Sequence, residues 1–364
     1  MKIQKIPVFL LTGFLGSGKT TLLKAWLQSE LLKDAALIIN ELGEVGLDNQ
    51  LLANASESAA LVPNACVCCT GLPALNQALE DLFWARLERR IPRFPNLVIE
   101  TTGLASPGPI LASFEDSELV KERYECMGTI TCLSATTAMQ VLQTHPEAKA
   151  QLRAANVCII TKTDLVSAEE LEILRLNLEE LFSEFGQHTA ILMSGQANLP
   201  PQVVFKALHQ VHDYQLCHPH GDDACGHTEH DLHHDDHHHH HDHDHDHDHP
   251  AHQARAFFWP ISEQSDHEAL LSDIRSLKAL LGPSLLRLKG RVSNHQGQWL
   301  MQMAPFEQAL SVEVDPIHPI HSINRIDEGK EAHPAAPKGL TLIVTWPLSE
   351  EQKEALLSKA QLQT

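Results

Sequence analysis

A chain of 364 residues with 43% hydrophobic and 20% charged residues is long enough for two domains that each bury a core, and its composition is globular rather than fibrous or low-complexity. A formal net charge of -20 excludes general affinity for nucleic acid, because a polyphosphate is repelled wherever no local basic patch overrides the field. No apolar run reaches the roughly 18 residues of a membrane helix, and eight cysteines, three of them within four positions, point to metal or redox chemistry in a reducing, cytoplasmic compartment.

The apolar stretch Ile6-Pro-Val-Phe-Leu-Leu11 predicts a buried first strand at Val8–Leu11. Its opening residues imitate a signal peptide, but cleavage there would destroy the glycine-rich run beginning at Gly13, so the segment is expected to be retained. That run, Gly13-Phe-Leu-Gly16-Ser17-Gly18-Lys19-Thr20-Thr21, satisfies the phosphate-loop pattern G-x-x-x-x-G-K-S/T between a strand and a helix. The glycines let the backbone curl so that successive N–H groups and the next helix terminus converge on phosphates. Lys19 adds a mobile charge, and the Thr20 hydroxyl suits Mg²⁺. Gly13, Gly16, Ser17, Gly18, Lys19, Thr20 and Thr21 are therefore expected at a nucleoside triphosphate.

Further strands are expected at Ala36–Ile39, Leu97–Ile99, Thr129–Leu133, Val157–Ile160 and Ala190–Met193, separated by helix-like segments up to about Val211. That alternation predicts an α/β fold, a mainly parallel sheet with helices on both faces, whose ligands bind where the strands end. After the second strand, the acidic run Asn40-Glu41-Leu-Gly43-Glu44-Val-Gly46-Leu-Asp48 suits a switch loop that reports a γ-phosphate through Mg²⁺, with Glu41 on the metal side. Cys66-Val67-Cys68-Cys69 places three thiols on one turn. Adjacent cysteines would make a strained disulfide, whereas three thiolates suit Zn²⁺ or Cu(I); buried structural cysteines are the alternative.

Glu100-Thr-Thr-Gly103 sets a carboxylate at a strand end before a glycine, as a second phosphate-loop motif does; a helix cap or surface carboxylate is the plainer reading of Glu100. In the first reading Glu100 holds the Mg²⁺ water shell and Gly103 donates its N–H to the γ-phosphate. Leu104 stands where many such enzymes place a water-orienting glutamine, so slow turnover is expected. Lys19, Thr20 and Glu100 form the expected catalytic set. Cys126, Cys132 and Cys158 fall in or near apolar strands and read as core.

Thr161-Lys162-Thr163-Asp164 approximates the N-K-x-D base-reading signature. A carboxylate at Asp164 accepts both guanine donors and would face an acceptor nitrogen on adenine. Lys162 lays its stem across the base. Thr161 in place of asparagine loses amide hydrogen bonds that brace this loop, and Ser194-Gly195 is placed to offer backbone N–H groups to guanine O6.

Residues 218–252 contain 16 of the 25 histidines, and the surrounding tract carries ten Asp or Glu residues and no Lys or Arg. Such a segment has almost nothing to bury and reads as a disordered, metal-collecting linker, with Cys217 beside it and Cys225 within it. The globular pattern resumes at Ala254, with strands expected at Ala256–Trp259, Leu285–Val292, Trp299–Met303 and Leu340–Trp346 and helices near His267–Leu281 and Ser349–Leu362, a small α+β unit. Arg287, Lys289 and Arg291 share one strand face, read as solvated or edge-protecting, or else as a dock for an acidic partner. The implied domains are 1–213, a linker 214–253, and 254–364.

In this order, GFLGSGKTT, NELGEVGLD, CVCC, ETTGLASP and TKTD resemble the CobW-type P-loop GTPases of the metallochaperone group. The resemblance implies a GTP-dependent metal carrier in which Cys66, Cys68 and Cys69 match the metal motif and Glu41 and Glu100 the Mg²⁺-side carboxylates. GTP, Mg²⁺ and Zn²⁺ are the implied cofactors and cargo, and a client metalloprotein the implied partner. A nucleotide-dependent homodimer is left open, and neither nucleic acid nor membrane is expected. Two other readings stand beside it: a passive zinc buffer, and a cobalt or iron insertion GTPase serving corrinoid synthesis or nitrile hydratase.

Overall fold

Alternation along the first strand sets the layers. In the computed structural model, which describes residues 5–39, 60–62, 72–217, 254–262, 265–294, 297–303, 310–314 and 339–362, β1 (Ile6–Thr12) is apolar on both faces. Phe9 and Leu11 join one core cluster while Val8 and Leu10 join another, the period-two consequence of a strand covered on both sides. On the first face lie α1 (Lys19–Leu27) and α8 (Pro201–Cys217), where Phe9 and Phe205 stack with centroids 4.0 Å apart. On the second lie α2 (Leu72–Leu87), α3 (Pro107–Asp116) and α4 (Glu118–Arg123).

The remaining strands of this sheet are β2 (Ala36–Ile39), β3 (Ala60–Val62), β4 (Leu97–Glu100), β5 (Tyr124–Ser134), β6 (Val157–Thr161) and β7 (Ala190–Ser194). They are ordered β3-β2-β4-β1-β5-β6-β7, and every described pairing is parallel. Short α5 (Ala138–Thr144) and α6 (Pro146–Arg153) and the long α7 (Ala168–Glu184) cover the β5–β6 side. Strand order reverses at β1. The crevice at its carboxyl end, between β4 and β5, is where an open α/β sheet binds ligands.

The second sheet contains β8 (Ala254–Pro260), β9 (Leu285–Asn294), β10 (Gly297–Met303), β11 (Ser311–Val314), β12 (Gly339–Thr345) and β13 (Gln361–Leu362), in the order β11-β10-β9-β12-β8-β13. All its described pairings are antiparallel. α9 (His267–Leu281) and α10 (Glu350–Leu357) bury Leu270, Ile274, Leu277 and Leu356 against one face. The architecture is thus an α/β P-loop unit followed by a smaller α+β unit.

Four features differ from the sequence expectations. β3 forms where the sequence pattern predicts no strand. The C-terminal helix is shorter than Ser349–Leu362: Ser349 caps it through a reciprocal bond with Gln352, and Gln361–Leu362 then leave the helix to pair with Phe258 and Phe257 of β8. α8 continues through Cys217, past the domain boundary expected at 213. The face carrying Arg287, Lys289 and Arg291 belongs to an interior strand paired on both sides, and Lys289 is only 5% exposed, so it protects no edge. The histidine-rich linker lies outside the described residues. Among the described residues no helix is long and apolar enough to cross a membrane.

Candidate nucleotide-binding site

The loop between β1 and α1 turns on three glycines in the positive-φ region, Gly13 at 137°, Gly16 at 73° and Gly18 at 87°. At Gly13 a side chain is also excluded by space, since a Cβ would stand 2.3 Å from the Cys132 carbonyl oxygen. Gly18 occupies the N-cap of α1, with no side-chain cap and no acidic residue in the first turn. The helix therefore begins with its N–H groups and positive dipole end open to an anion. Lys19, 8% exposed, donates from Nζ to the Gly13 carbonyl at 2.7 Å and the Phe14 carbonyl at 3.2 Å, which stretches it across the loop. The Ser17 hydroxyl is buried with no hydrogen-bond partner among the described residues, a polar atom suited to an anionic ligand.

Parallel register sets Glu100 beside Leu11, so the end of β4 meets the start of the loop. There the Thr20 hydroxyl donates to Glu100 Oε1 at 2.6 Å, and Glu100 is 3% exposed. The reading of Glu100 as a surface carboxylate is overturned by that burial. One hydroxyl and one carboxylate in contact are a hard oxygen pair that could hold Mg²⁺. The following segment is pressed onto the loop: a Cβ on Gly103 would meet Leu15 N at 2.6 Å. Gln151 on α6, 1% exposed, donates from Nε2 to the carbonyls of Gly103 and Ala105, both at 3.0 Å. Nothing in the sequence motif marks Gln151, because a clamp on backbone carbonyls has no spacing signature.

The third wall comes from β6 and β7, whose ends pair Thr161 with Ser194. Thr161 donates its hydroxyl to the Ser17 carbonyl at 2.7 Å, with the Leu133 carbonyl at 3.1 Å. The expected loss of bracing at this position is therefore corrected: the hydroxyl ties the base-side loop to the phosphate loop. Lys162 turns left-handed at φ 56°, which lets the chain pass into the Thr163–Leu165 turn. The exposed Asp164 carboxylate accepts the Gln196 N–H at 2.9 Å through Oδ1, which anchors one of its oxygens. Gly195 passes so close that a Cβ there would lie 3.4 Å from Asp164 Oδ1, and buried Ser194 precedes it.

The arrangement thus brings together Gly13 to Thr21, Glu100 and Gly103 on the phosphate side and Lys162, Asp164 and Ser194 on the base side. Glu41, Cys66, Cys68 and Cys69 lie outside the described residues, and among the described residues no group of three or more His, Cys, Asp or Glu side chains is arranged to hold a metal ion. Cys132 and Cys158 are fully buried on adjacent strands, as expected for core; burial pushes the Cys132 thiol up to about 12.

Residues 7–185 match the family described as CobW/HypB/UreG, nucleotide-binding domain. The chain is similar to the zinc chaperone YjiA of Escherichia coli, 39% identical over 168 residues that cover 46% of this chain and 52% of that protein. It is also similar to the zinc-regulated GTPase metalloprotein activator 1 of Schizosaccharomyces pombe, 34% identical over 180 residues covering 48% of this chain and 43% of that one. The chain spans about half the length of the curated relatives it matches. A solved structure of zinc(II)-bound YjiA GTPase from Escherichia coli aligns with 98% of this chain and 99% of its own at 21% identity, with a TM-score of 0.41. The phosphate loop, the Glu100–Gly103 segment and the Thr161–Asp164 loop all lie inside residues 7–185, the span over which the chain is similar to the CobW/HypB/UreG nucleotide-binding domain family.

Proposed function

We propose that this chain binds and slowly hydrolyses GTP and uses its nucleotide state to control a zinc site at Cys66, Cys68 and Cys69, from which the ion passes to a client protein. The observation that carries the nucleotide half is the Thr20–Glu100 contact at the mouth of an uncapped helix and glycine-built loop. Lys19 exchanges its two carbonyl acceptors for phosphate oxygens, and the backbone of Gly13 to Thr21 cradles the phosphates. Thr20 and Glu100, with Glu41, are the residues that would hold Mg²⁺, which when bound would offset charge developing on the phosphate oxygens. Water attacks the γ-phosphorus, the bond to the β–γ bridging oxygen breaks, and GDP and phosphate result. Leu104 is buried at 5% exposure and has no polar atom to orient that water, which supports slow turnover.

Guanine is read by the unanchored oxygen of Asp164, by the Lys162 stem across the base, and by backbone N–H groups after Ser194. The relatives' descriptions as a zinc chaperone and a zinc-regulated GTPase metalloprotein activator support zinc as the cargo of the thiol triad. Three thiolates leave a fourth position for a client ligand, which favours transfer over storage. We assign the GTPase unit to residues up to Cys217, where α8 ends, a histidine-rich collector to 218–253 and a further unit to 254–364, acting in the cytoplasm without membrane or nucleic-acid partners. Zinc affinity measured against a chelator, with a non-hydrolysable GTP analogue and then with GDP, tests the reading. It predicts tighter zinc in the first state, and identical affinities would leave only a zinc buffer.

A further inference from the structure

The loop from α2 to β4 carries a feature that the nucleotide site does not use. Arg86, Arg89, Arg90, Ile91, Pro92 and Arg93 line a concave surface of about 500 Å³. The loop precedes Leu97, the first residue of β4, so it lies at the opposite strand end from Glu100 and the phosphate loop. Four arginines meet here in a chain of net charge -20. Arg90 pairs with Glu88 at 2.6 Å, with both side chains more than half exposed, a pair that solvent screens. Among the described residues, Arg86, Arg89 and Arg93 form no ion pair, and buried Arg86 Nε has no hydrogen-bond acceptor. The Arg86 guanidinium is nonetheless held in place, 5.3 Å over the Phe94 ring.

These arginines are not explained by the helix end. The last carbonyls of α2 are satisfied by backbone, with Arg90 N donating to the Ala85 carbonyl at 2.8 Å and Arg89 N to the Arg86 carbonyl at 3.3 Å. That is the Schellman pattern, and Arg89 fills its left-handed position, φ 61°, which favours glycine. Capping in that conformation would be better served by glycine, so the Arg89 side chain stands against local backbone preference. Exposed Trp84 and Leu87 on the last turns of α2, with Ile91 and Pro92 in the wall, add apolar surface beside the charge.

We propose that this surface docks a short acidic segment of a partner protein, in which Asp or Glu carboxylates pair with Arg86, Arg89 and Arg93 and neighbouring apolar side chains cover Ile91 and Leu87. Forked guanidinium groups match carboxylates, and Arg with exposed aromatic surface is the composition of binding patches. The mixed apolar wall favours a peptide, which carries apolar side chains beside its carboxylates, over a polyphosphate, which does not. The proposal stands apart from the nucleotide reading, since the surface lies at the opposite end of the strands from Glu100 and the phosphate loop.

The probe is a fluorescein-labelled peptide of Glu, Asp and Leu, titrated by anisotropy into the full chain, with a Lys and Leu peptide and a single-stranded oligonucleotide as comparisons. The acidic peptide should bind in a salt-sensitive way and the other two should not. The double variant Arg89→Gly, Arg93→Gln should weaken peptide binding at least about tenfold, with GTP binding unchanged. Arg89→Gly alone should raise the melting temperature while weakening the peptide, a combination that a purely structural arginine would not give. No peptide binding, equal binding by the double variant, or preference for the oligonucleotide overturns the proposal.

Discussion

Thr161 stands at the position where the base-reading signature has asparagine, and its hydroxyl joins the 161–164 loop to the glycine-rich loop after β1. Changing Thr161→Val keeps the shape and removes the donor, leaving the buried Ser17 carbonyl short of a partner. The expected cost is about 1 kcal/mol of stability with a several-fold loss of GTP affinity, read by chemical denaturation and by fluorescent-nucleotide titration. Asp164 is held differently, by a single N–H from Gln196, so Asp164→Asn should leave the loop folded and relax guanine preference by about 1–3 kcal/mol. Competition between GTP and ATP measures it; equal affinities already in the unmodified protein would remove the base-reading role. His145 gives a pH handle, because its ring stacks on Phe14 of the phosphate loop with centroids 4.4 Å apart. Burial lowers its pKa below the ordinary 6.5, outweighing the opposite pull of Glu147. A lowered folded value means that unfolded chains take up the proton first. The stability it contributes is full above 6.5 and is lost as pH falls through the folded value. Thermal melts across that range should therefore slope less in His145→Phe, which keeps the stack and cannot titrate.

At the scale of elements, the loop after β4 is positioned from outside itself. Gln151 holds the carbonyls of Gly103 and Ala105, while Leu15 blocks any side chain at Gly103, so the second phosphate-side loop sits between α6 and the first. Gln151→Leu should cost about 1–3 kcal/mol for the two carbonyls left buried, and should lower kcat more than GTP affinity, since the cradle from Gly13 to Thr20 is untouched. Single-turnover hydrolysis beside nucleotide titration separates the two effects. Motif-bearing elements are the ones the sequence reveals, for a physical reason: a strand buried on both faces needs an unbroken apolar run, and a phosphate loop needs glycines at fixed intervals. Ala60–Val62 is three residues long and carries too little pattern to stand out. Gln361–Leu362 is a strand only because β8 offers an edge, which no local preference announces. Thr161 reads as a loss in sequence because its acceptor, the Ser17 carbonyl, is 144 positions away and is brought near only by the β1–β5 and β5–β6 pairings together.

At the scale of the whole molecule, the proposal requires two sites to share one free energy. The three cysteines lie in sequence between the acidic loop that begins at Glu41 and the strand that ends at Glu100. If the GTP state orders that stretch, zinc binds it more tightly than the GDP state, and reciprocity makes zinc tighten GTP by the same factor. A tenfold difference needs only about 1.4 kcal/mol, within what ordering one loop supplies. Replacing Cys66, Cys68 and Cys69 by serine should abolish the mutual effect while GTP still binds through Lys19, Thr20 and Asp164. Deleting residues 218–252 should do the reverse: the coupling and one tight zinc site remain, and weak sites disappear because imidazoles at that density bind metal independently of any fold. The two variants distinguish a switch from a sponge. Zinc titrations of both, each with the GTP analogue and with GDP, should show coupling that follows the cysteines and capacity that follows the histidines. Coupling that instead vanished with the histidine tract would relocate the controlled site to it and remove the thiol triad from the mechanism.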